Sequence, residues 1–115
     1  KFVSRIEFIA HKKITHPFFG IAIYSNDGTM ISGSNTKGSH LDISSIEGKG
    51  TIEYSIEALP FLHGEYLFTV SVSDYDVFVA YDLWHKCLSF TVTPTQSVKG
   101  LTGILYLPNK WHYLE

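Results

Sequence analysis

The sequence predicts an all-β domain folded as an antiparallel β-sandwich, and three observations support this fold class. Apolar and polar residues alternate with a period of two along most of the 115 residues, which is the pattern of half-buried strands. Aromatic residues make up 15% of the composition, and aromatic side chains are enriched in strands. Turn-forming residues separate the short alternating segments, an arrangement typical of two antiparallel sheets packed face to face.

The first third of the chain contains three predicted strands. Residues 2–10 alternate and form the first strand, which a loop at residues 12–17 is expected to end. Residues 18–24 alternate again and form the second strand. The Asn-Asp-Gly sequence at residues 26–28 is a hairpin signal, so a short return strand is expected at residues 29–32.

The middle of the chain contains a polar segment followed by two predicted strands. Residues 33–50 are rich in Gly and Ser, and within them residues 40–46 fit either a turn or a short edge strand. Residues 51–57 alternate and predict a fourth strand. The His-Gly pair at residues 63–64 predicts a turn, and the alternation at residues 66–73 then predicts a fifth strand.

The last third of the chain is less regular. Residues 74–78 are expected to form a loop, and residues 79–82 fit a short strand. Residues 88–93 alternate and predict a sixth strand. Residues 95–100 are interpreted as a linker, and residues 101–107 as a last strand that is able to leave the body of the domain.

Length, charge and cysteine content limit the possible functions. Residues 1–115 are expected to form a single domain. The formal net charge is −2 and the pI is near 6.3, so there is no basic excess to neutralise the phosphates of nucleic acid or of anionic lipid. The single cysteine, Cys87, excludes an internal disulfide and suits a reducing compartment. No apolar run approaches the roughly twenty residues that a membrane helix needs.

No motif predicts an active site, a metal site or a cofactor. The six histidines show neither HExxH nor HxH spacing, and Cys87 has no CxxC partner. His85 and Cys87 stand two residues apart, so a Cys-His pair in a small hydrolase remains an alternative to a cysteine that serves as a small hydrophobe. The candidate carboxylates for such a site, or for calcium, are Asp74, Asp76 and Asp82, although aspartates of this kind usually form Asx turns.

The outward rows of three predicted strands share short and hydroxyl-bearing side chains. If these strands are neighbours, the rows form one shallow polar patch. Hydroxyl groups there would exchange hydrogen bonds with sugar hydroxyls, and a tyrosine would offer an apolar face to sugar C–H groups. The alternative interpretation is an ordinary solvated sheet face. The rows consist of Ala22, Tyr24, Leu67, Thr69, Ser71, Ser89, Thr91 and Thr93.

Two further groups of aromatic residues stand out near the C-terminal end. The first group is expected in or beside loops at one end of the sandwich, where it would either bind a ligand or close the end of the core. The second group would anchor a final strand, and an apolar strand that leaves its own body is a natural element for exchange with a second subunit. The first consists of Tyr75, Phe78, Tyr81, Trp84 and His85, and the second of Tyr106, Trp111 and Tyr113.

Several motifs keep the order and spacing found in one known family, and together they form a specific signal. They are Pro-Phe-Phe-Gly-Ile-Ala-Ile at 17–23, Asn-Asp-Gly at 26–28, Ile-Ser-Gly-Ser-Asn-Thr at 31–36, Leu-Pro-Phe-Leu-His-Gly-Glu-Tyr at 59–66, Tyr-Asp at 81–82, Leu-Ser-Phe-Thr-Val at 88–92 and the closing segment 103–111. On these motifs, which extend over nearly the whole chain, the sequence resembles the Wzt C-terminal domain family.

The resemblance implies a fold, a function and a set of partners. The expected fold is a β-sandwich of jelly-roll or immunoglobulin-like topology. Family members are C-terminal domains of the ATP-binding subunit of bacterial ABC exporters for O-antigen polysaccharide, and they catalyse no reaction. They recognise the modified non-reducing end of the lipid-linked glycan in the cytoplasm, at the inner face of the inner membrane. The implied partners are a polysaccharide, a second copy of the domain and the rest of the transporter subunit, through which alone the domain would meet the membrane.

Two points limit what the resemblance implies, one a departure of this chain from the family and the other a variation among its members. Members usually carry another strand before the position of Lys1, so residues 1–115 are expected either to be the C-terminal fragment of a longer subunit or to leave a sheet edge unpaired. The terminal sugar also differs between members, so no particular sugar is implied.

The outward rows and the resemblance together predict a carbohydrate site. Four side chains would contact the terminal sugar, and a tryptophan would stack on it from the rim. The alternative is a protein-interaction domain, whose contact patch should carry apolar and aromatic anchors at its centre. The predicted carbohydrate-binding residues are Tyr24, Thr69, Ser71, Thr91 and Trp84.

Overall fold

The computed structural model describes residues 1–74, 80–93 and 102–114. These ranges contain no helix, and therefore none that is long and apolar enough to cross a membrane. They contain six strands, which are β1 (Phe2–Thr15), β2 (Pro17–Ser25), β3 (Met30–Asn35), β4 (Ser45–Ile56), β5 (Gly64–Asp74) and β6 (Ala80–Val92).

The strands form two antiparallel sheets of unequal width. The narrow sheet contains β1 and β4, and the wide sheet has the strand order β3-β2-β5-β6. All four strand pairings within the sheets are antiparallel. The prediction of an all-β antiparallel fold is confirmed, and β2 and β5 are the central strands of the wide sheet.

The core lies between the two sheets and is built from the alternating apolar rows. Ile23 on β2 and Phe68 on β5 are each 1% exposed. The Phe68 ring centroid lies 5.9 Å from that of Phe2 on β1 and 6.4 Å from that of Tyr54 on β4, so aromatic contacts join the wide sheet to the narrow one. Because successive strand residues point to opposite faces, the inward row of β2 leaves Gly20, Ala22 and Tyr24 on the outside.

The predicted loop at residues 12–17 is wrong. Strand β1 continues to Thr15, β2 begins at Pro17, and His16 alone connects them with a φ of 46°. The His16 N–H donates to the Ser44 carbonyl oxygen at 2.9 Å, so this tight connection is held by the backbone before β4. The alternation fails here because the pairing of β1 with β4 shifts register between Ala10 and Ile14, which is the effect of a β-bulge.

Two strand boundaries also differ from the prediction. Strand β3 continues past residue 32 to Asn35, and β4 begins at Ser45 rather than at residue 51. Residues 40–46 thus include the start of β4, whereas residues 36–40 form turns. The glycines and serines of this stretch hid the end of β3 and the start of β4, because small polar residues give no apolar alternation.

The C-terminal third differs most from the prediction. The segments at 79–82 and 88–93 belong to one continuous strand, β6, which contains two register shifts against β5. The predicted strand at 101–107 is reduced, over its described residues, to a bridge between Leu105 and Phe61, beside which the Leu62 N–H donates to the Ile104 carbonyl oxygen at 2.9 Å. The predicted linker at 95–100, and residues 75–78 of the predicted loop, lie outside the described residues.

Candidate functional site

The outer face of the wide sheet brings short side chains from β2 and β5 side by side. Directly opposed residues of antiparallel strands point to the same face of a sheet. Gly20 is paired with Ser71 and Ala22 with Thr69, whereas the core residue Ile21 between them is paired with Val70. The first two pairs therefore face away from the core, as the outward rows of the sequence predict.

These pairs form the floor of a shallow trough of about 230 Å³ on the outer face. Strand β3 supplies one wall, because Gly33 is paired with Ala22 and Asn35 with Gly20. The floor is low because it is made of glycine, alanine and short hydroxyl side chains. The residues that line the trough are Phe18, Gly20, Ile21, Ala22, Met30, Gly33, Ser34, Asn35, Thr69 and Ser71.

Gly20 sets the depth of the trough at its centre. A Cβ atom at this position would lie 2.9 Å from the Ser71 Oγ, closer than side chains normally approach. A larger residue would therefore displace the hydroxyl group that the trough presents. At the β3 wall, the Asn35 Oδ1 accepts the Gly38 N–H at 2.6 Å, which fixes the amide and leaves its two N–H groups as donors.

Thr69 is the most deeply placed hydroxyl residue of the trough. It is 6% exposed, and its Oγ1 accepts the backbone N–H of Lys86 at 2.7 Å. A threonine hydroxyl can donate one hydrogen bond while it accepts others. The Thr69 oxygen therefore accepts the hydrogen bond that holds β6 in place, and the hydroxyl proton can be donated to another group.

A bulge in β6 brings two more side chains to the outer face. The pairing of β5 with β6 passes from Phe68 and Leu88 to Val70 and Trp84, so that residues 85–87 all lie opposite Thr69. Lys86 in this bulge has a φ of 51°, in the left-handed region that few residues other than glycine adopt. Strain of this kind is tolerated where the surrounding contacts hold it, and it often accompanies a functional site.

The bulge side chains reach Tyr24, at the end of the outward row of β2. The His85 ring lies edge-on to the Tyr24 ring with the centroids 5.6 Å apart, and the Lys86 Nζ lies 5.1 Å from the centre of the same ring. The Lys86 side chain therefore spans β5 to reach β2. Tyr24, His85 and Lys86 together form a cluster that we call the cationic rim.

The β2–β3 hairpin lies beside the cationic rim and is internally hydrogen-bonded. The Asp27 carboxylate accepts the Ser25 hydroxyl, and it also accepts the Thr29 N–H at 3.0 Å. The hydroxyl of Ser25 is the main cause that lowers the pKa of Asp27 from its usual 3.8, with the Thr29 amide next. Gly28 has a φ of 92°, as the hairpin signal requires.

The structure brings three of the five predicted binding residues together. Thr69 and Ser71 line the trough, and Tyr24 stands at the cationic rim. Thr91 is paired with Glu65, four residues before Thr69 along β5, so it lies about 13 Å from Thr69 along the strand at the usual rise per residue. Thr91 is not among the residues that line the trough.

Trp84 lies on the other face of the wide sheet. It is paired with Val70, whose side chain packs on the core, and it is 66% exposed. The aromatic group that was predicted in or beside loops lies partly in a strand instead, since Tyr81, Trp84 and His85 belong to β6. Tyr75 and Phe78 of that group lie outside the described residues.

The sequence reasoning missed the lysine of the cationic rim and the wall from β3. Lys86 stands between two apolar segments with no periodicity, and only a register shift places it over β2. Gly33 and Asn35 were assigned to a polar segment instead of a strand. Gly20 could have been found, because it alternates with Phe19 and Ile21 and therefore stands in the outward row.

The groups that a hydrolase would need are not assembled in the described part of the chain. The Cys87 Sγ donates to the Phe68 carbonyl oxygen at 3.4 Å, while the His85 ring contacts Tyr24. The Tyr81 hydroxyl donates to the Asp74 Oδ2 at 3.2 Å. Asp76 is not among the described residues, and those residues contain no cluster of three His, Cys, Asp or Glu side chains that could hold a metal ion.

A family model and a solved structure match the chain. The family model described as the Wzt C-terminal domain matches residues 1–107. A solved structure described as the crystal structure of the C-terminal domain of Wzt superposes with a TM-score of 0.79 at 18% sequence identity. This match covers 97% of the present chain and 69% of the other, which at this identity demonstrates a shared fold. No curated protein matches the sequence.

Proposed function

Because this chain belongs to the Wzt C-terminal domain family, the carbohydrate-binding domains of O-antigen ABC exporters, we propose that it recognises the modified non-reducing end of an O-antigen polysaccharide. Recognition of this end would license export of the finished glycan. The observation that carries the proposal is the trough, since it is a concave surface with short and hydroxyl-bearing side chains at the centre of the wide sheet.

The chemistry of the trough suits a sugar better than a protein partner. Thr69, Ser71 and Asn35 offer hydroxyl and amide groups, and Tyr24 offers an aromatic ring at one end. A protein interface of comparable affinity would need bulky apolar or aromatic anchors at its centre, where this trough has Gly20 and Ala22. Sugar hydroxyls exchange hydrogen bonds with water for hydrogen bonds with these groups, so the affinity of one domain is expected to be weak.

The proposal assigns recognition, and no catalysis, to this domain. ATP hydrolysis would belong to another part of the transporter subunit, of which residues 1–115 would be the C-terminal carbohydrate-binding domain. The domain would then work in the cytoplasm at the inner face of the inner membrane, and it would meet the membrane only through the transporter. Its ligand is the polysaccharide, and the proposal includes no nucleic acid, metal ion or cofactor.

We also propose that the domain acts as a homodimer. Leu88 and Trp84 on β6 are 61% and 66% exposed, although their partners on β5 face the core. In the C-terminal segment Trp111 is 96% exposed and Tyr113 is 86% exposed. Contact with a second copy, by exchange of the terminal segment or otherwise, would cover such surface and link two troughs, which raises the effective affinity for a multivalent glycan.

A titration tests the proposed recognition. The purified chain is titrated calorimetrically with a panel of O-antigen polysaccharides, each with its natural non-reducing end and after enzymatic removal of that end. At least one polysaccharide is expected to bind only with its natural end. Ser71→Ala should weaken that binding about fivefold, the value of one ordinary hydrogen bond. Ser55→Ala, in the exposed row of the narrow sheet, is the matched control and should bind as the natural chain does.

The outcome that contradicts the proposal is equal binding of both forms, or binding of neither, across the whole panel.

Sedimentation equilibrium tests the dimer separately. The expected mass is twice the 13.0 kDa of one chain, and a concentration-independent monomer would contradict it.

A further inference from the structure

A second cavity, which we call the side cleft, lies between the two sheets beside the edge strand β3. Its volume is about 140 Å³. A cavity of about 150 Å³ lined by leucine, isoleucine and phenylalanine binds benzene, so the side cleft has room for a group of about six carbon atoms. The apolar and aromatic residues that line it are Ile6, Phe19, Ile21, Leu41, Ile52 and Tyr54.

The side cleft offers no unpaired charge to a ligand. Among the described residues that line it, Glu53 alone is charged, and its Oε2 accepts the Arg5 Nε–H at 3.2 Å. Desolvation by burial raises the pKa of Tyr54 above its ordinary value of 10.0, because water is partly excluded from this residue. A ligand that fits the side cleft is therefore uncharged and largely apolar.

The turn after β3 holds an exposed leucine at the side cleft. The Leu41 N–H donates to the Thr36 carbonyl oxygen at 2.9 Å, and the His40 N–H donates to the Lys37 carbonyl oxygen at 3.2 Å. With a φ of 60° at His40, this is the hydrogen-bond pattern of the Schellman motif, in which the residue at the position of Leu41 usually packs on an apolar residue of the turn. The corresponding residues here are Asn35 and Thr36, and Leu41 lines the side cleft while it remains 53% exposed.

Hydroxyl groups stand beside this leucine. Thr36 and Ser39 both line the side cleft. The Thr36 Oγ1 accepts the Phe19 N–H at 3.0 Å, and the Thr36 N–H donates to the Phe19 carbonyl oxygen at 2.9 Å, so Thr36 is fixed against a core residue. A hydroxyl oxygen that accepts one hydrogen bond can still donate its proton. A carbonyl group that enters the side cleft can accept this proton.

The side cleft and the trough lie on opposite faces of the same stretch of the wide sheet. Four residues, Gly20, Ile21, Ser34 and Asn35, line both cavities. Because β3 is an edge strand, a glycan in the trough can pass around Asn35 and reach the side cleft without crossing another strand. The two cavities can therefore bind different groups of one chain of sugars.

We propose that the side cleft binds a short acyl substituent, of at most about six carbons, that a sugar residue of the glycan carries as an ester or an amide. An acyl group is uncharged, and it joins a carbonyl acceptor to an apolar chain. The carbonyl oxygen accepts from the Thr36 hydroxyl, and the apolar chain lies between Leu41 and Ile52. This inference rests on the proposed carbohydrate recognition, to which it adds a second site with a different chemistry.

The size of the side cleft sets the expected dependence on chain length. Each methylene group that leaves water for the cavity should increase the affinity about fourfold. This gain should stop once the chain exceeds about six carbons, because further methylene groups stay in solvent. A site for a long lipid chain would instead continue to gain affinity.

An NMR titration with simple sugar esters tests the inference. Methyl glucoside is used unmodified and as its acetyl, butanoyl, hexanoyl and decanoyl esters, and binding is followed at the isoleucine methyl groups of the natural chain. The methyl signals of Ile6 and Ile52 should shift with saturation, while that of Ile9, which is 57% exposed and does not line the cavity, should not. Affinity should increase about fourfold per methylene from acetyl to hexanoyl, and the decanoyl ester should bind no more tightly than the hexanoyl ester. Hexanoate, the free acid in its ionised form, should bind more weakly than the hexanoyl ester because the side cleft has no charge to pair with it.

Three variants locate the site. Leu41→Ala should weaken binding of the hexanoyl ester about fivefold, the value of partial burial of one leucine side chain, and Leu41→Met should retain it. Ile9→Ala is the matched control, since it shortens an equally exposed apolar residue outside the side cleft. Because Leu41 and Ile9 are both more than half exposed, these variants should fold as the natural chain does, which their NMR spectra verify.

The outcomes separate this inference from the proposed function. No saturable shift of Ile6 and Ile52 with any ester overturns the inference, as does an affinity that still increases from hexanoyl to decanoyl or that is unchanged in Leu41→Ala. Carbohydrate recognition then still stands if a polysaccharide binds through its natural end in the calorimetric titration. Saturable binding of the short esters at the side cleft supports the inference, and failure of every polysaccharide in that titration would count against the proposed recognition by the trough alone.

Discussion

Replacement of Thr69 by valine is expected to loosen β6 at its bulge. Valine keeps the shape of threonine but cannot accept the Lys86 N–H, which the threonine Oγ1 accepts at 2.7 Å. A buried donor left without a partner costs about 1–3 kcal/mol. Because β6 is an edge strand and water can reach part of this site, the lower end of that range applies, about 1 kcal/mol.

Thr69→Ser is the matched control for this change. It keeps the acceptor oxygen and loses one methyl group, which costs about 0.8 kcal/mol if the group is fully buried. The two variants should therefore have similar free energies of unfolding in urea, but they should differ at one backbone amide. In Thr69→Val the Lys86 N–H should exchange with solvent about fivefold faster than in the natural chain, since every 1.4 kcal/mol is tenfold.

Hydrogen exchange measured by NMR separates these two outcomes. Unchanged Lys86 exchange in Thr69→Val, or equal acceleration in Thr69→Ser, would refute the role of the Thr69 hydroxyl in holding the bulge. Thr69→Val should also weaken polysaccharide binding, because the Thr69 hydroxyl lines the trough.

Three further predictions concern the floor of the trough, the core and the hairpin. Gly20→Ala should change the free energy of unfolding by no more than about 1 kcal/mol, since alanine is favoured over glycine in a strand. The alanine Cβ must displace the Ser71 Oγ, which would lie 2.9 Å away, so the variant should bind glycan more weakly in a calorimetric titration. Unchanged affinity would contradict the proposed position of the sugar. Phe68→Ala removes a side chain that is 1% exposed and should lower the free energy of unfolding in urea by about 3–5 kcal/mol, whereas a loss under 1 kcal/mol would show that the core is not packed around it. The Ser25 hydroxyl is the main cause that lowers the pKa of Asp27 from 3.8. The ionised carboxylate therefore stabilises the hairpin above the unfolded pKa, and this stabilisation is lost as the pH falls through the folded pKa. An NMR titration of Asp27 should find a midpoint below 3.8, and a midpoint at or above 3.8 would exclude this hydrogen bond.

The central strands and the floor of the trough were predictable because local pattern and tertiary environment agree there. On β5, Tyr66 and Phe68 point inward, and Thr69 and Ser71 point outward, as their alternation indicates. The Asn-Asp-Gly signal likewise predicts the hairpin in which Gly28 has a φ of 92°. In such strands one face is buried, so a shift of one residue would expose the whole apolar row.

The edges of the fold and the cationic rim were not predictable, because long-range pairing determines them. Trp84 and Lys86 are two residues apart and would share a face in a regular strand. The bulge opposite Thr69 instead leaves Trp84 on the inward face and sends Lys86 across the outer face to Tyr24. No local signal reports a register shift of this kind, since it depends on which residue of β5 each residue of β6 meets.

The single-residue connection at His16 ties β2 to the narrow sheet more closely than β3 is tied. Strand β1 of the narrow sheet continues directly into β2, which carries the trough floor, whereas β3 leads to β4 through residues 36–44. A ligand that displaced β2 along its axis would therefore pull the end of β1 with it, because no slack separates Thr15 from Pro17. Displacement of β3 would instead be absorbed by the turns that follow it. Among the connections between the two sheets, the one through His16 is the shortest, and it joins the trough floor directly to β1.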